Sequence, residues 1–362
     1  MLKTMGKCPR NFCLVLTSVV TGLVLMLLQS HSQLEFTWSK RYVTECNGCN
    51  KFVGKPTIEP TNVCKQYDGN TTSGHTELII LVMSPVNDKE ARDAVRDTWG
   101  GIREQTTGHF RVVFVVGKMK STDLFNEASS QGDILQLNVP ETQKAITEKV
   151  VHSFRWFTVR CSHIKYVMKT DTEVFINVPY IFKILQKYDL RNIIVGHCYH
   201  RFVNHDRSRN TQEYKTLKKI SGSHSPPYCS GSGYLIGRET AVTLTAIFAD
   251  TPYFPVEDVY IGMCAYKTKV EVMDVPGFDV EYVGYDAFQY CHCAGTVPKV
   301  DAGRQREIFV RQLGDCKQTW SRGMDDLRAC FVDIMDVLKP LTIMTLSGLL
   351  IILFFIVRRK VN

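Results

Sequence analysis

Leu78-Ile79-Ile80-Leu81-Val82-Met83, then Ser84-Pro85-Val86-Asn87, then Lys89 onward to Trp99, is the stretch that decides the fold. Six apolar residues without polar alternation suit a strand covered on both faces. Ser, Pro and Asn break that strand. Ala91, Ala94, Val95 and Thr98 then fall on one side of a helix. Working outward, residues 112–116 (VVFVV) read as a second buried strand ending at Gly117, and 133–139 (DILQLNV) as a third. Residues 141–160 carry Ile146, Val150, Phe154 and Phe157 at helical spacing and predict a long helix. Tyr166-Val167-Met168-Lys169 leads a fourth strand into Asp171-Thr172-Glu173. Strands alternating with helices predict an α/β fold with a mainly parallel central sheet. There is no internal repeat, and no G-x-G-x-x-G follows the first strand, so a dinucleotide fold has no positive support.

Regular structure is expected over 76–315, with 29–75 a polar stem and 316–340 a juxtamembrane segment. The chain has 362 residues, 44% hydrophobic and 22% charged, which excludes wholesale disorder. Its net charge of +8 comes largely from Lys3, Lys7, Arg10, Arg358, Arg359 and Lys360 near the two ends. The middle is close to neutral and lacks the basic stripe of a nucleic-acid binder, so no nucleic-acid partner is expected.

Residues 12–28 (FCLVLTSVVTGLVLMLL) and 341–357 (LTIMTLSGLLIILFFIV) are uncharged runs near the lower limit for a bilayer span. The first lacks a small-residue cleavage pattern and reads as an uncleaved signal anchor within 1–28. The second, within 341–362, is stopped by Arg358-Arg359-Lys360. Basic flanks put both ends in the cytoplasm and everything between them in a lumenal or extracellular space. Cysteine usage agrees: of 13, Cys8 and Cys13 lie in the tail or first span, and the other eleven face an oxidising compartment that would pair most of them. An odd number leaves at least one free or paired between chains. Cys46-x-x-Cys49 reads as a disulfide rather than half of a zinc site, since no second half-site accompanies it. Asn70-Thr71-Thr72 is a glycosylation sequon.

Four places can carry chemistry. Asp171 and Glu173 sit where a buried strand ends, and ligands of open α/β sheets bind outside the carboxyl ends of strands. Their hard oxygens suit Mg²⁺ or Mn²⁺ bridging to phosphates, or simply a solvated acidic turn. Glu257-Asp258 follows Pro255 at a predicted helix start, where an acid either caps the helix or acts as a general base. Tyr228-Cys229-Ser230-Gly231-Ser232-Gly233-Tyr234 is small between two tyrosines, which suits either a surface turn or close approach of a ligand to the backbone. His292, between Cys291 and Cys293, is either structural or a metal ligand.

Taken in order, these segments resemble the β-1,3-glycosyltransferase family of galactosyl- and N-acetylglucosaminyltransferases. Arg92 to Gly100 (RDAVRDTWG) is similar to its R-x-x-I-R-x-T-W-G, and Lys169 to Asn177 (KTDTEVFIN) to its K-x-D-D-D-x-F-x-N. Pro227 to Tyr234 is similar to P-x-Y-x-x-G-x-G-Y, and Glu257 to Gly262 to E-D-V-x-x-G. The resemblance implies a GT-A-like nucleotide-sugar transferase fold flanked here by N- and C-terminal transmembrane helices, on a Golgi membrane with the catalytic domain lumenal. It implies a UDP-sugar donor, a glycan acceptor on protein or lipid, and Mn²⁺ or Mg²⁺. It makes Asp258 the base, and Asp171, Glu173 and His292 metal ligands. Arg92, Arg96, Lys169, Asp171, Tyr228, Gly231, Gly233 and Glu257 are placed at the donor or around its pocket. Galactose is the first expectation for the donor sugar and N-acetylglucosamine the second. A catalytically inactive glycan- or partner-binding protein is the alternative from another class. The chain departs from the family pattern at Thr172, which replaces the central Asp, and at Glu173, which replaces the last. A further family motif, Y-x-N-L-T-x-K, survives only as Thr147 and Lys149 in 143–149 (QKAITEK).

Overall fold

The computed structural model describes residues 46–316 apart from 53, 62, 65–75, 103–108, 120 and 200–224. The expected spans at 12–28 and 341–357 and the Asn70 sequon lie outside these residues. Among the described residues no helix is long and apolar enough to cross a membrane.

The apolar run forms strand β2 (Thr76–Met83), and helix α1 (Lys89–Asp97) follows it, N-capped by the Asp88 carboxylate accepting from the Ala91 N–H. Next come β3 (His109–Lys118), α2 (Thr122–Gln131), β4 (Ile134–Pro140), α3 (Ile146–Arg160) and β5 (Tyr166–Asp171). Alternate residues of β2 enter opposite cores, which is what a two-sided strand requires. Ile79, Leu81 and Met83 pack with Val150, Phe154 and Phe157 of α3. Leu78, Ile80 and Val82 pack with Val95 of α1 and with Trp99.

The remaining main strands are β1 (Pro56–Ile58), β7 (Ile193–Tyr199), β8 (Tyr228–Gly237) and β9 (Glu271–Asp274). The sheet order is β1-β4-β3-β2-β5-β8-β7-β9. Pairs β3/β4, β2/β3, β2/β5 and β7/β9 are parallel, whereas β1/β4, β5/β8 and β7/β8 are antiparallel. The sheet is therefore mixed, with four of its seven pairs parallel. The Gly- and Ser-rich segment around Gly231 is a central strand, not a turn, and antiparallel neighbours need no crossover helix to announce them. A small second sheet pairs β6 (Val174–Ile176) with β10 (Thr296–Pro298). Between these lie α4 (Val178–Lys187), α5 (Arg238–Ile247), α6 (Glu257–Thr268) and α7 (Ala287–His292), and α8 (Ala302–Cys316) closes the described chain.

Two boundaries differ from the sequence expectation. Regular structure begins before Thr76, because β1 adds an edge strand to β4. Its three residues, Pro56-Thr57-Ile58, are too few for a periodic signal, and an edge position tolerates the proline that opens it. This segment is anchored by the Cys64–Cys161 disulfide and by the Trp156 indole donating to Glu59 at 3.0 Å. The long helix starts at Ile146, after a 3₁₀ turn at Gln143–Ala145, rather than at 141. Glu141 is held outside it, accepting from the Gly117 N–H at 2.6 Å and pairing with Lys149 at 2.9 Å.

Disulfides join Cys46–Cys49, Cys64–Cys161, Cys198–Cys229 and Cys291–Cys316. Cys293 is also disulfide-bonded, and Cys264, buried, is the free cysteine among the described residues.

Candidate active site

From β2 the chain steps outward to β3 and β4, then returns to place β5 on the other side of β2. That reversal is a topological switch point, where open α/β sheets leave a crevice at the carboxyl ends of the strands. Met83 and Asp171 lie in register there. A cavity of about 440 Å³ opens at this point. It is lined from β2 onward by Ser84, Pro85 and Asp88, from α3 and the turn before it by Glu141, Gln143 and Lys149, and from β5 by Asp171, Thr172 and Glu173.

The Asp171-Thr172-Glu173 turn is pinned by its backbone. The Thr172 N–H donates to Met83 O at 3.2 Å, and Gln305 Nε2 donates to Thr172 O at 2.6 Å. The Trp99 indole in turn donates to Gln305 Oε1 at 3.1 Å. Thr172 is buried and Glu173 exposed.

Behind Asp171, Lys169 is buried and makes three contacts with three segments. Its ammonium pairs with Asp171 at 3.0 Å and Glu257 at 2.8 Å, and donates to Gly231 O at 2.7 Å. Burial opposes its charge, but Asp171 and Glu257 more than offset that and hold it above its ordinary value. Glu257 opens α6, and Tyr234 donates to its other oxygen at 3.2 Å. Burial pushes the Glu257 carboxyl up to about 7, with Lys169 pulling the other way and Asp258 adding to the rise. Asp258 is half-buried. Its oxygens accept from the Val259 N–H at 2.7 Å and the Gly231 N–H at 3.2 Å. Burial raises its pKa against those N–H groups and Lys169. A carboxylate at a helix N-terminus with a raised proton affinity is suited to take a hydroxyl proton.

Several residues expected at the donor or around its pocket spend their polar groups on contacts within the protein. Arg92 is buried, and every N–H it carries is used. It holds Glu127 through Nε at 2.8 Å and Nη2 at 2.6 Å, and donates to Ser84 Oγ, Pro85 O and Val86 O. Its role is to shape the loop that lines the cavity. Arg96 grips Asp133 at 2.8 and 2.9 Å, pairs with Asp93 and Glu127, and lies over the Phe114 ring. Lys169 likewise spends its donors on Asp171, Glu257 and Gly231. Gly231 and Gly233 are bare because side chains fill the space beside them. A Cβ at Gly231 would meet Glu257 Oε1 at 2.7 Å, and one at Gly233 would meet Thr296 Cγ2 at 2.9 Å. Tyr228 is buried with its ring 5.2 Å from Tyr199.

Asp171 and Glu173 stand together at the cavity, but His292 is on α7, its ring 5.0 Å from Phe288. Among the described residues no three His, Cys, Asp or Glu side chains gather closely enough to hold a metal, so the expected trio is not assembled. Two carboxylates on a polar cavity nevertheless fit a hard divalent cation that takes its other ligands from phosphates and water. Lys149, Glu141 and Gln305 were missed as site residues. Lys149 gives a weak signal in the partial motif at 143–149, whereas Gln305 lies far along the chain and gives none.

A family model described as galactosyltransferase matches residues 90–276, just over half of the chain, and encloses the Asp171 turn and Asp258. The chain belongs to the galactosyltransferase family. This galactosyltransferase-family chain is 30% identical over 212 residues to human N-acetyllactosaminide beta-1,3-N-acetylglucosaminyltransferase 4, covering 57% of itself and 56% of that protein. It is 32% identical over 208 residues to human UDP-GalNAc:beta-1,3-N-acetylgalactosaminyltransferase 1, covering 54% and 61%. It is 27% identical over 227 residues to human beta-1,3-galactosyltransferase 2, covering 59% and 54%. The chain thus spans a little over half the length of these relatives. A solved galactosyltransferase, LgtC, in complex with donor and acceptor sugar analogues is similar with a TM-score of 0.34 at 8% identity, covering 70% of this chain and 99% of that one.

Proposed function

We propose that this chain is an inverting β-1,3-hexosyltransferase of GT-A type that moves a hexose from a UDP-sugar to the 3-hydroxyl of a glycan acceptor on protein or lipid. The observation that carries this reading is the placement of Asp258. It sits at the start of α6 and accepts from the Gly231 N–H, while Gly231 O accepts from Lys169, which pairs with Asp171 at the switch-point cavity. The cavity takes the nucleotide diphosphate. Asp258 receives the acceptor's hydroxyl proton as its oxygen attacks the anomeric carbon from the face opposite the departing UDP. The turn at Asp171 and the loop held by Arg92 orient the donor, so reacting atoms meet without a search. A bound Mn²⁺ or Mg²⁺, held by Asp171 and Glu173, would neutralise charge on the leaving diphosphate.

Galactose is our first choice of donor and N-acetylglucosamine the second. The three relatives share a β-1,3 linkage in their names and differ in the sugar. We place the chain on a Golgi membrane with the described residues lumenal. Support comes from its disulfides, which suit an oxidising compartment, and from the two uncharged runs outside the described residues. Thr172 favours a second reading, an inactive glycan- or partner-binding protein, because a buried neutral side chain stands where the family carries a carboxylate. The test is turnover by the purified full chain of UDP-galactose, UDP-N-acetylglucosamine and UDP-N-acetylgalactosamine, with Mn²⁺ and with chelator. Metal-dependent transfer from one donor supports the enzyme. A folded chain that neither turns over nor binds UDP refutes it.

A further inference from the structure

Lys169 is too deeply committed to reach a nucleotide, yet its three contacts span the site. One ends at Asp171, on the turn at the donor cavity. Another ends at Glu257, adjacent to the base. The third ends at Gly231 O, whose own N–H donates to Asp258 Oδ2 at 3.2 Å. No side chain fits between these groups. A Cβ on Gly231 would lie 2.7 Å from Glu257 Oε1, 3.3 Å from Lys169 Nζ and 3.8 Å from Asp258 Oδ2. Tyr234 closes the far side through Glu257 Oε2.

We propose that Lys169 is a positioning residue that sets where Asp258 stands relative to the donor turn, acting through Gly231 and Glu257; this rests on the transferase reading above. The physical argument is one of connectivity. Strand β5 and strand β8 are fixed to each other by backbone pairing through Lys169↔Tyr234 and Thr170↔Gly233. Helix α6 is not part of the sheet, and its first turn meets β8 where glycines leave no side chains to pack. The ammonium fills that gap and ties the helix start to both strands. A buried charge with three partners in three directions has little freedom, so the helix start inherits the precision of the sheet. Asp171 is already fixed by its register with Met83, so Lys169 governs the base more than the donor turn.

The test uses the full chain and separates positioning from mere stability. Lys169→Met alone leaves Glu257 buried without its cation and is expected to destabilise the fold. The double variant Lys169→Met/Glu257→Gln removes the ion pair with Glu257, and Asp171, whose side chain is 37% exposed although its Oδ1 is buried, can turn that oxygen toward solvent. The expected result is a Tm close to wild type, UDP affinity and donor KM within about threefold, and kcat lower by roughly 100-fold, the scale of a 1 Å misplacement. Gly231→Ala, which changes no charge, is expected to lower kcat in the same way by forcing Glu257 and Lys169 apart. A double variant with wild-type Tm and wild-type kcat overturns the proposal and leaves Lys169 a structural ion. So does a Gly231→Ala variant with unchanged kcat. A wild-type chain without turnover overturns the transferase reading itself, and the positioning role with it.

Discussion

Arg92→Met separates two roles that the sequence alone treats alike. If the guanidinium faces the nucleotide, its loss weakens UDP binding and leaves the fold untouched. The structure assigns it the opposite role. Arg92 is 1% exposed and forms a two-point pair with Glu127 at 2.6 and 2.8 Å. It also satisfies Ser84 Oγ and the Pro85 and Val86 carbonyls. Breaking a buried pair by removing one partner costs about 3–5 kcal/mol. Arg96 still reaches Glu127 at 2.8 Å, so the lower end applies, about 3 kcal/mol. For a domain of this size that lowers Tm by roughly 6–12 °C. Differential scanning calorimetry gives the shift, and titration with UDP gives the affinity. Donor affinity should fall as well, because Ser84 and Pro85 of the freed loop line the cavity. An unchanged Tm together with lost UDP binding would refute the reasoning and return Arg92 to the ligand.

Asp258→Asn keeps an oxygen to accept the Gly231 N–H, so the fold and UDP affinity should persist while turnover falls by about 10²–10⁴-fold; near-normal turnover removes Asp258 from the role of base. His152 is buried, and burial, aided by Arg155, lowers its pKa from 6.5 to about 4. The folded state therefore binds fewer protons than the unfolded chain between those values. Its contribution is whole above about pH 6.5 and is lost as pH falls toward 4, at most about 3 kcal/mol. Urea titrations at pH 7 and pH 5 should show this slope in wild type and a shallower one in His152→Leu. Cys198→Ser/Cys229→Ser opens a crosslink of sequence separation 31 between β7 and β8, which is expected to cost about 3–4 kcal/mol by loop entropy. An unaltered denaturation midpoint in that double variant would contradict the estimate.

Local sequence carries what depends on near neighbours. The run Leu78 to Met83 specifies a two-sided strand because nothing polar in it can face water, and α1 and α3 follow from their own apolar spacing. Asp171, Glu173, Glu257 and Asp258 stand out as acids at element ends for the same reason. Where the acids go next is a tertiary matter. That Lys169 meets Glu257, and Gly231 meets Asp258, depends on β8 running antiparallel beside β5. The Gly- and Ser-rich segment of β8 conceals that pairing, since glycine has little intrinsic strand preference. The same holds for Arg92 and Arg96. The resemblance places them at the donor or around its pocket, but Glu127 and Asp133 lie more than thirty residues away and come to meet them only when α2 and the start of β4 pack beside α1. His292 shows the reverse case, a plausible ligand by residue type that α7 carries into a contact with Phe288. Residue chemistry is local and legible in the chain, whereas the partner that satisfies or spends that chemistry is chosen by packing over long sequence separations.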